Sequence, residues 1–267
     1  MKLSRFAFTC LTTLTIAVFV LLYGPLLVPI ASSFFVVSHG DVQWDTPSLA
    51  SYAALSRNEG IIEAFINTLV VGFTATLLAV ILGTLFALHY CGGKSLGRDI
   101  MQFVIFLPFL MPPIMIGLSL LIFFREADVP RSLLTVIVGH TIFILTLAYR
   151  TIVVRLQSLG PALIEASYDL GASSWQTFYY VLLPSLRSVL IGSAVLCFAL
   201  SFDETLITIL VTGTDNTLPI RLWAMMRLGF TPDINALVAL VLGLTAAMCI
   251  LAVRRLLPKE MNDENGD

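Results

Sequence analysis

The sequence is poor in charge. Asp, Glu, Lys and Arg make up 12% of its 267 residues, and the net charge is −2. An ordinary soluble domain carries about 25% charged residues, so too few are present to clothe a water-facing surface of this size. The near-neutral balance also excludes a nucleic-acid partner, which calls for a basic patch or stripe. Cysteine is scarce: Cys10, Cys91, Cys197 and Cys249 form no CxxC pair, and three lie in apolar runs. They read as small buried hydrophobes, not as a disulfide framework or a zinc site. No His, Cys and carboxylate group shows metal or nucleophile spacing, so no catalytic residue and no metal site is expected.

Apolar side chains are plentiful, at 58% of the chain. A spanning helix needs about 20 mostly apolar residues. Six stretches qualify: 9–33, 61–89, 100–124, 132–154, 185–211 and 234–257. The expectation is an all-α membrane protein, one transmembrane domain over 1–267 with six helices. Lys2, Arg5 and Ala31-Ser32-Ser33 imitate a signal peptide, whose apolar region is roughly 7–15 residues long. The run from Leu11 to Ile30 is longer, so it reads as a retained first helix. No internal repeat is visible, which counts against a secondary transporter of the inverted-repeat kind.

With an even number of spans, both termini share a side. That side would hold Lys2, Arg5, Lys94, Arg98, Arg150, Arg155, Arg187, Arg254, Arg255 and Lys259; the other would hold Arg57, Arg125, Arg131, Arg221 and Arg227. Lys and Arg accumulate on the cytoplasmic side. Both termini and the loop 155–184 are therefore expected in the cytoplasm, with loops 34–60 and 212–233 outside. The tail beyond Pro258 is polar.

The loop 155–184 reads as two short helices with a glycine joint. Gly160-Pro161 suits a helix start, and Gly171, after Leu170, is a natural left-handed stop. Ser173 and Gln176 have capping-box spacing. Pro184 sits where the second helix is expected to give way to the next span. Glu165 and Asp169 are four apart and share a face, a repulsion that a basic partner would relieve.

Polar groups interrupt the apolar runs. Asp203 and Glu204 lie in the fifth, where a charge costs roughly 2.5–3.5 kcal/mol on insertion scales and so faces a bundle interior or a wet cavity. Their role is either structural or as carboxylates lining a cation path. Pro108, Pro112 and Pro113 must bend or break the third span, as a simple kink or as a pore-lining gate. His140 and Asn67 are lone polar groups suited to helix-to-helix hydrogen bonds. In the loop 212–233, Pro219 is placed to open a short helix along the outer face. Trp223, Arg221 and Arg227 suit an interfacial position there, which a substrate-delivering protein could meet.

Glu165-Ala166-Ser167, three residues, Gly171, nine residues, Val181, one residue and Leu183-Pro184 together resemble the EAA signature of permease subunits of binding-protein-dependent ABC importers. Ser167 stands where alanine is usual, and Val181 where isoleucine is usual. The resemblance implies that this segment, with Asp169, Leu170 and Ala172, docks in a groove of a cytoplasmic ATPase. The small Ala166, Gly171 and Ala172 would allow close approach. Gly92-Gly93-Lys94-Ser95 resembles the end of a P-loop, but Leu88 stands where the first glycine is needed and no strand precedes it. ATP and Mg are thus expected on a partner chain, with no cofactor on this one.

Gly139-His140-Thr141-Ile142-Phe143, Asp169-Leu170-Gly171-Ala172-Ser173, Leu200-Ser201-Phe202-Asp203-Glu204 and Leu218-Pro219 … Gly229 … Pro232 … Asn235-Ala236-Leu237 extend the likeness from about Asn67 to Leu251. They are similar to the second permease subunit of spermidine/putrescine-type importers. That family implies the MetI-like fold in a bacterial inner membrane, in contact with lipid. It also implies a heterodimer with a sister permease, two cytoplasmic ATPase subunits and a periplasmic binding protein. The pair Asp203-Glu204 matches an acidic pair in those relatives and suits polycationic cargo. Pro113 departs from them, standing where polyamine relatives often carry an acid. Related permeases move iron, opines, phosphonates and amino-acid derivatives.

Overall fold

The computed structural model describes residues 5–38, 41–92, 97–228 and 232–256. Lys2, the Gly93-Lys94-Ser95 part of the basic turn, Gly229 and the tail from Pro258 lie outside the described residues, as do the side chains of Arg5, Pro232, Cys249, Arg254 and Arg255. Among the described residues two compact units form, one within 5–62 and 224–250, the other within 63–223 and 251–256.

In the first unit, α1 (Arg5–Ser32) carries Pro25 and Pro29 yet stays helical. None of its most apolar window is buried within the chain, so lipid or another chain must be its solvent. The segment 34–60, expected as an outer loop, carries regular structure. Strands β1 (Phe35–Ser38) and β2 (Asp41–Pro47) pair antiparallel, followed by α2 (Ala50–Arg57). Phe35 packs on Trp44 at 5.2 Å, and the hydroxyls of Ser33 and Tyr52 meet at 2.9 Å. Alternation along so short a ribbon carries little signal in sequence. Asn58, just beyond α2, donates to Asp233 at 2.8 Å, in the first turn of α12 (Pro232–Leu256).

The second unit holds most of α3 (Glu59–Cys91), then α4 (Arg98–Leu110), α5 (Pro113–Glu126), α6 (Leu133–Leu159), α7 (Ala162–Asp169), α8 (Ser174–Gln176), α9 (Leu183–Asp203), α10 (Leu206–Val211) and most of α11 (Leu218–Leu228). Small residues let α3 lie close to its neighbours. A Cβ on Gly83 would meet the Tyr149 backbone at 2.9 Å, and one on Gly72 would meet the Phe198 ring at 2.9 Å. Ala75 and Ala79 of α3, Ile144 and Ala148 of α6 and Cys197 of α9 form one buried cluster.

Four described helices are long and apolar enough to cross a membrane: Phe8–Ser32, Glu59–Cys91, Leu133–Leu159 and Ser174–Asp203. The α4–α5 pair makes a fifth if its 110° bend is counted within one span, and α12 contributes the shorter apolar stretch Asp233–Ala247. The expected third span is therefore broken. The cause is local: Met111 and Pro112 each precede a proline, which drives both out of the helical region. They adopt ψ of 142° and 138°. Pro113 then opens α5 at a position where its missing donor costs nothing.

The fifth expected span, 185–211, is broken as well. Its helix starts earlier, at Ser174, and ends at Asp203; α10 follows after Glu204 and Thr205. Pro184 does not separate a loop helix from the span. Residues Thr177–Leu182 form a π-helical turn, in which the Leu183 N–H donates to the Phe178 carbonyl five residues back. A proline inside an α-helix clashes with the carbonyl four residues earlier, and the wider turn gives that carbonyl room.

Ile207 on α10 is fully buried between two glycines. A Cβ on Gly117 of α5 would lie 3.0 Å from its Cα, and one on Gly139 of α6 would lie 2.7 Å from its Cγ2. Gly139→Ala should therefore destabilise the protein by about 1–3 kcal/mol through overpacking. Ile207→Leu, which removes the Cγ2 methyl, should restore part of the loss in the same background. Thermal unfolding of the purified protein measures both; an unchanged midpoint in Gly139→Ala would contradict the packing.

Candidate functional site

Two regions of the second unit carry the sequence-selected residues. One is the loop between α6 and α9. Gly160, at φ +71°, ends α6, which runs five residues beyond its expected limit of 154. After α7 the chain turns at Gly171, at φ +81°. The Gly171 N–H donates to the Tyr168 carbonyl at 2.8 Å and the Ala172 N–H to the Ser167 carbonyl at 3.1 Å. That pair of bonds is a Schellman stop. A Cβ on Gly171 would touch nothing, so glycine is needed there for its backbone freedom and not for close packing within the chain.

The expected capping box is formed. Ser173 Oγ accepts from the Gln176 N–H at 3.4 Å, and Gln176 Oε1 accepts from the Ser173 N–H at 2.8 Å. Ser167 has a definite use here. Its hydroxyl donates to the Ile164 carbonyl at 2.8 Å and lies 2.9 Å from the buried Thr177 hydroxyl, which then donates to it. The bond pins α7 to the π-helical turn. Alanine at 167 could not make it.

The outward side of this loop is uncovered. Glu165, Ala166, Asp169 and Gly171 are exposed, with Ala172 and Leu183 half-buried and Pro184 at the surface. Leu170 is 88% exposed and Trp175 71%. Neither Glu165 nor Asp169 makes an ion pair among the described residues. Apolar groups beside two unpaired carboxylates form a surface that suits a partner bearing both an apolar groove and basic charge.

The other region surrounds the α9–α10 break. His140 is 1% exposed, with Nδ1 2.8 Å from Ser201 Oγ on α9 and Nε2 2.7 Å from Thr208 Oγ1 on α10. Thr208 Oγ1 also donates to the Glu204 carbonyl at 2.9 Å. One assignment satisfies every group: Ser201 donates to Nδ1, the Nε2–H donates to Thr208, and Thr208 donates to Glu204. His140 thus bolts α6 to both sides of the break.

The acidic pair is divided. Glu204 is buried, and its Oε1 accepts from the Ile207 N–H at 3.0 Å, serving one of the free donors at the start of α10. Asp203, the last residue of α9, is exposed, and its carboxylate has no partner among the described residues. Glu204, His140, Ser201, Thr68 and Thr217 line one narrow crevice. Asn67 stands beside it, donating to the Asn216 carbonyl at 3.1 Å, while Thr68 Oγ1 accepts from the Leu218 N–H at 2.7 Å and so caps α11. The expected helix opening near Pro219 is thereby formed. Pro112 and Pro113 make the α4–α5 break instead, Pro108 lies inside the last turn of α4, and none of the three lines the crevice.

Sequence reasoning missed Ser201, Thr208, Thr177 and Ile207. Ser201 and Thr208 are seven apart, a helical two-turn spacing, but small hydroxyls in apolar helices usually bond their own backbone. Only the position of His140 distinguishes them. His140→Ala would leave both hydroxyls without their partner, at a cost of roughly 1–3 kcal/mol each where burial is complete. The melting temperature of the protein in detergent should fall clearly; no change would refute the bolt.

Comparison with known proteins places these features. Residues 75–260 match the model of the family described as binding-protein-dependent transport system inner membrane component. The putrescine transport system permease protein PotI of Escherichia coli (strain K12) is 32% identical over 244 residues, 88% of this chain and 86% of the relative. The spermidine/putrescine transport system permease protein PotC of Haemophilus influenzae is 28% identical over 236 residues, 88% and 91% of the two chains. Among solved structures, a bacterial ABC transporter that imports the acidic polysaccharide alginate aligns over 94% of this chain and 96% of its own, with TM-score 0.72 and 17% identity. The MetNI methionine ABC transporter aligns over 78% of this chain and 97% of its own, with TM-score 0.61 and 21% identity. At such identities these two report on fold alone, and the fold is the MetI-like permease fold. The chain belongs to the family of inner-membrane components of binding-protein-dependent transport systems: it is a multi-pass ABC permease subunit of the inner membrane.

Proposed function

We propose that this permease conducts a polyamine such as spermidine or putrescine into the cytoplasm. The observation that carries the cargo is the likeness, over 88% of the chain, to permeases named for spermidine and putrescine. The exposed, unpartnered Asp203 carboxylate at the α9–α10 break supports it, since a cation needs a free anion on its path. Glu204, engaged in capping α10, then acts by holding the break open. Pro113 in place of an acid favours a second reading with the same machinery and another cargo, an opine, amino-acid derivative, phosphonate or iron.

In this reading both termini face the cytoplasm. A sister permease completes a heterodimeric pore, two ATPase subunits bind ATP and Mg, and a periplasmic binding protein delivers cargo. The whole chain acts as one permease domain and binds no cofactor itself. The surface of Glu165, Ala166, Asp169, Leu170, Gly171 and Ala172 docks the ATPase, with Ser167, Leu183 and Pro184 shaping its support. His140, Asn67 and the prolines at 108, 112 and 113 set the shape of the path.

Two measurements test this. Proteoliposomes holding the full complex should take up radiolabelled spermidine or putrescine with ATP, and Asp203→Asn should cut uptake roughly tenfold, the scale of one charge-assisted contact. Competition by an opine or phosphonate, with polyamines inert, would establish the second reading. For docking, Gly171→Asp and Glu165→Arg should abolish co-purification of the ATPase. Ser167→Ala, which loses the bonds to Thr177 and to the Ile164 carbonyl but keeps the exposed surface, should weaken it by about fivefold. ATPase retained in full by the first two variants would sink the docking assignment.

A further inference from the structure

The coupling loop leads into a groove that shares only Leu183 and Pro184 with the support of the docking surface and lies apart from the α9–α10 break. It has a volume of about 610 Å³ and is lined by Tyr179, Tyr180, Leu183, Pro184, Arg187, Leu190 and Ile191. These recur along one face of the continuous helix Ser174–Asp203. The face is ordered by polarity. Tyr179 and Tyr180 lie at one end, their rings edge to face at 5.2 Å and both exposed. Leu190 and Ile191 lie at the other. Arg187 lies between them, exposed and without a hydrogen bond or ion pair among the described residues. Neither tyrosine hydroxyl has a partner among them either.

Two further facts fix the level of this groove. At about 1.5 Å per residue the 30-residue helix is some 45 Å long, against roughly 30 Å of hydrocarbon. Its first turns must therefore stand in a headgroup layer. An arginine side chain in a helix leans toward the N-terminus and snorkels to the polar layer, so the Arg187 guanidinium reaches back toward Tyr180 and Pro184. Arg155 adds a second cation nearby, its Nε donating to the Ser185 carbonyl at 3.3 Å. Cations and two hydroxyl donors stand at one end, with bare aliphatic side chains directly membrane-ward. That order matches a phosphate headgroup above an acyl chain.

We infer that this groove, built by Tyr179, Tyr180, Arg187, Leu190 and Ile191, is a binding site for an anionic phospholipid of the cytoplasmic leaflet. The inference rests on the proposed orientation, with the loop 155–184 in the cytoplasm. Arg187 and the tyrosines bind the phosphate; Leu183, Leu190 and Ile191 bind the chain. The lipid anchors the helix beside its docking end, below the exposed Trp175.

The test uses the complete transporter purified from membranes containing phosphatidylglycerol and phosphatidylcholine, with retained lipid read by native mass spectrometry. The wild type should retain phosphatidylglycerol over phosphatidylcholine, and Arg187→Gln should retain about fivefold less, the worth of one interfacial cation. Arg187→Lys should keep most of it. Equal retention of the two lipids, or no change in Arg187→Gln, would overturn the site. So would loss of the sister permease from the Arg187→Gln complex, which would make the face a subunit interface. Labelling of Tyr180→Cys by a membrane-impermeant thiol reagent from outside the cell would instead defeat the orientation reading. Uptake assays judge the cargo separately.

Discussion

Inside a bilayer, every backbone polar group needs a protein partner, and the α9–α10 break is where this chain meets that requirement in the most demanding way. When α9 stops at Asp203, the donors opening α10 lose their helical acceptors. Glu204 supplies one with its carboxylate, and Thr208 returns a bond to the Glu204 carbonyl. At the far end of α10 the Thr135 hydroxyl lies 2.7 Å from the Val211 carbonyl. A helix of six residues is too short to hold itself. It persists because α6 supplies His140 and Thr135, while the glycines of α5 and α6 admit Ile207.

The break in turn explains its counterpart. α5 lies on α10, and Gly117 brings the two backbones together beside Leu206 and Ile207. Had the third span run straight, α5 would not share that contact with the orientation it has. The prolines at 112 and 113 are therefore not only a local kink. They deliver α5 to α10, and two broken helices brace each other. Irregular backbone inside a membrane is tolerated where protein covers it, and here His140, Thr208 and the buried Ile207 supply that cover.

The sequence was most informative where one residue forces one geometry. Gly171 had to be a left-handed stop, Ser173 and Gln176 a capping box, and the proline cluster a break; each stands so. It was misleading at Pro184, because a proline in a helix reads as an end unless the turn before it widens, and nothing in Thr177–Leu182 announces a π-helical turn. It was silent on the division of labour between Asp203 and Glu204. Adjacent residues on one apolar run look alike until the chain breaks between them and turns one inward. The hairpin at Phe35–Pro47 escaped for a different reason, since two short strands outside the apolar runs give too few alternations to read.

The continuity of the helix through Pro184 has a mechanical consequence. If the loop helix ended there, the exposed face of α7 and the His140 bolt would belong to separate bodies joined by a flexible link. Instead Ser174–Asp203 is one helix. At one end Thr177 is bonded to Ser167 of α7, and at the other Ser201 is bonded to His140. Ser201 stands 24 residues beyond Thr177, which is about 36 Å along a helix. A load applied to α7 therefore has one continuous helix between it and the Glu204 break, with a wider turn at Thr177–Leu182 near the α7 end. Stiffness past that turn matters because Ser201 and Thr208 grip the same imidazole from opposite sides of the break. Displacing α9 by one hydrogen-bond length must either drag α6 along or break the Ser201–His140 bond that ties α9 to α6 and, through Thr208, to α10.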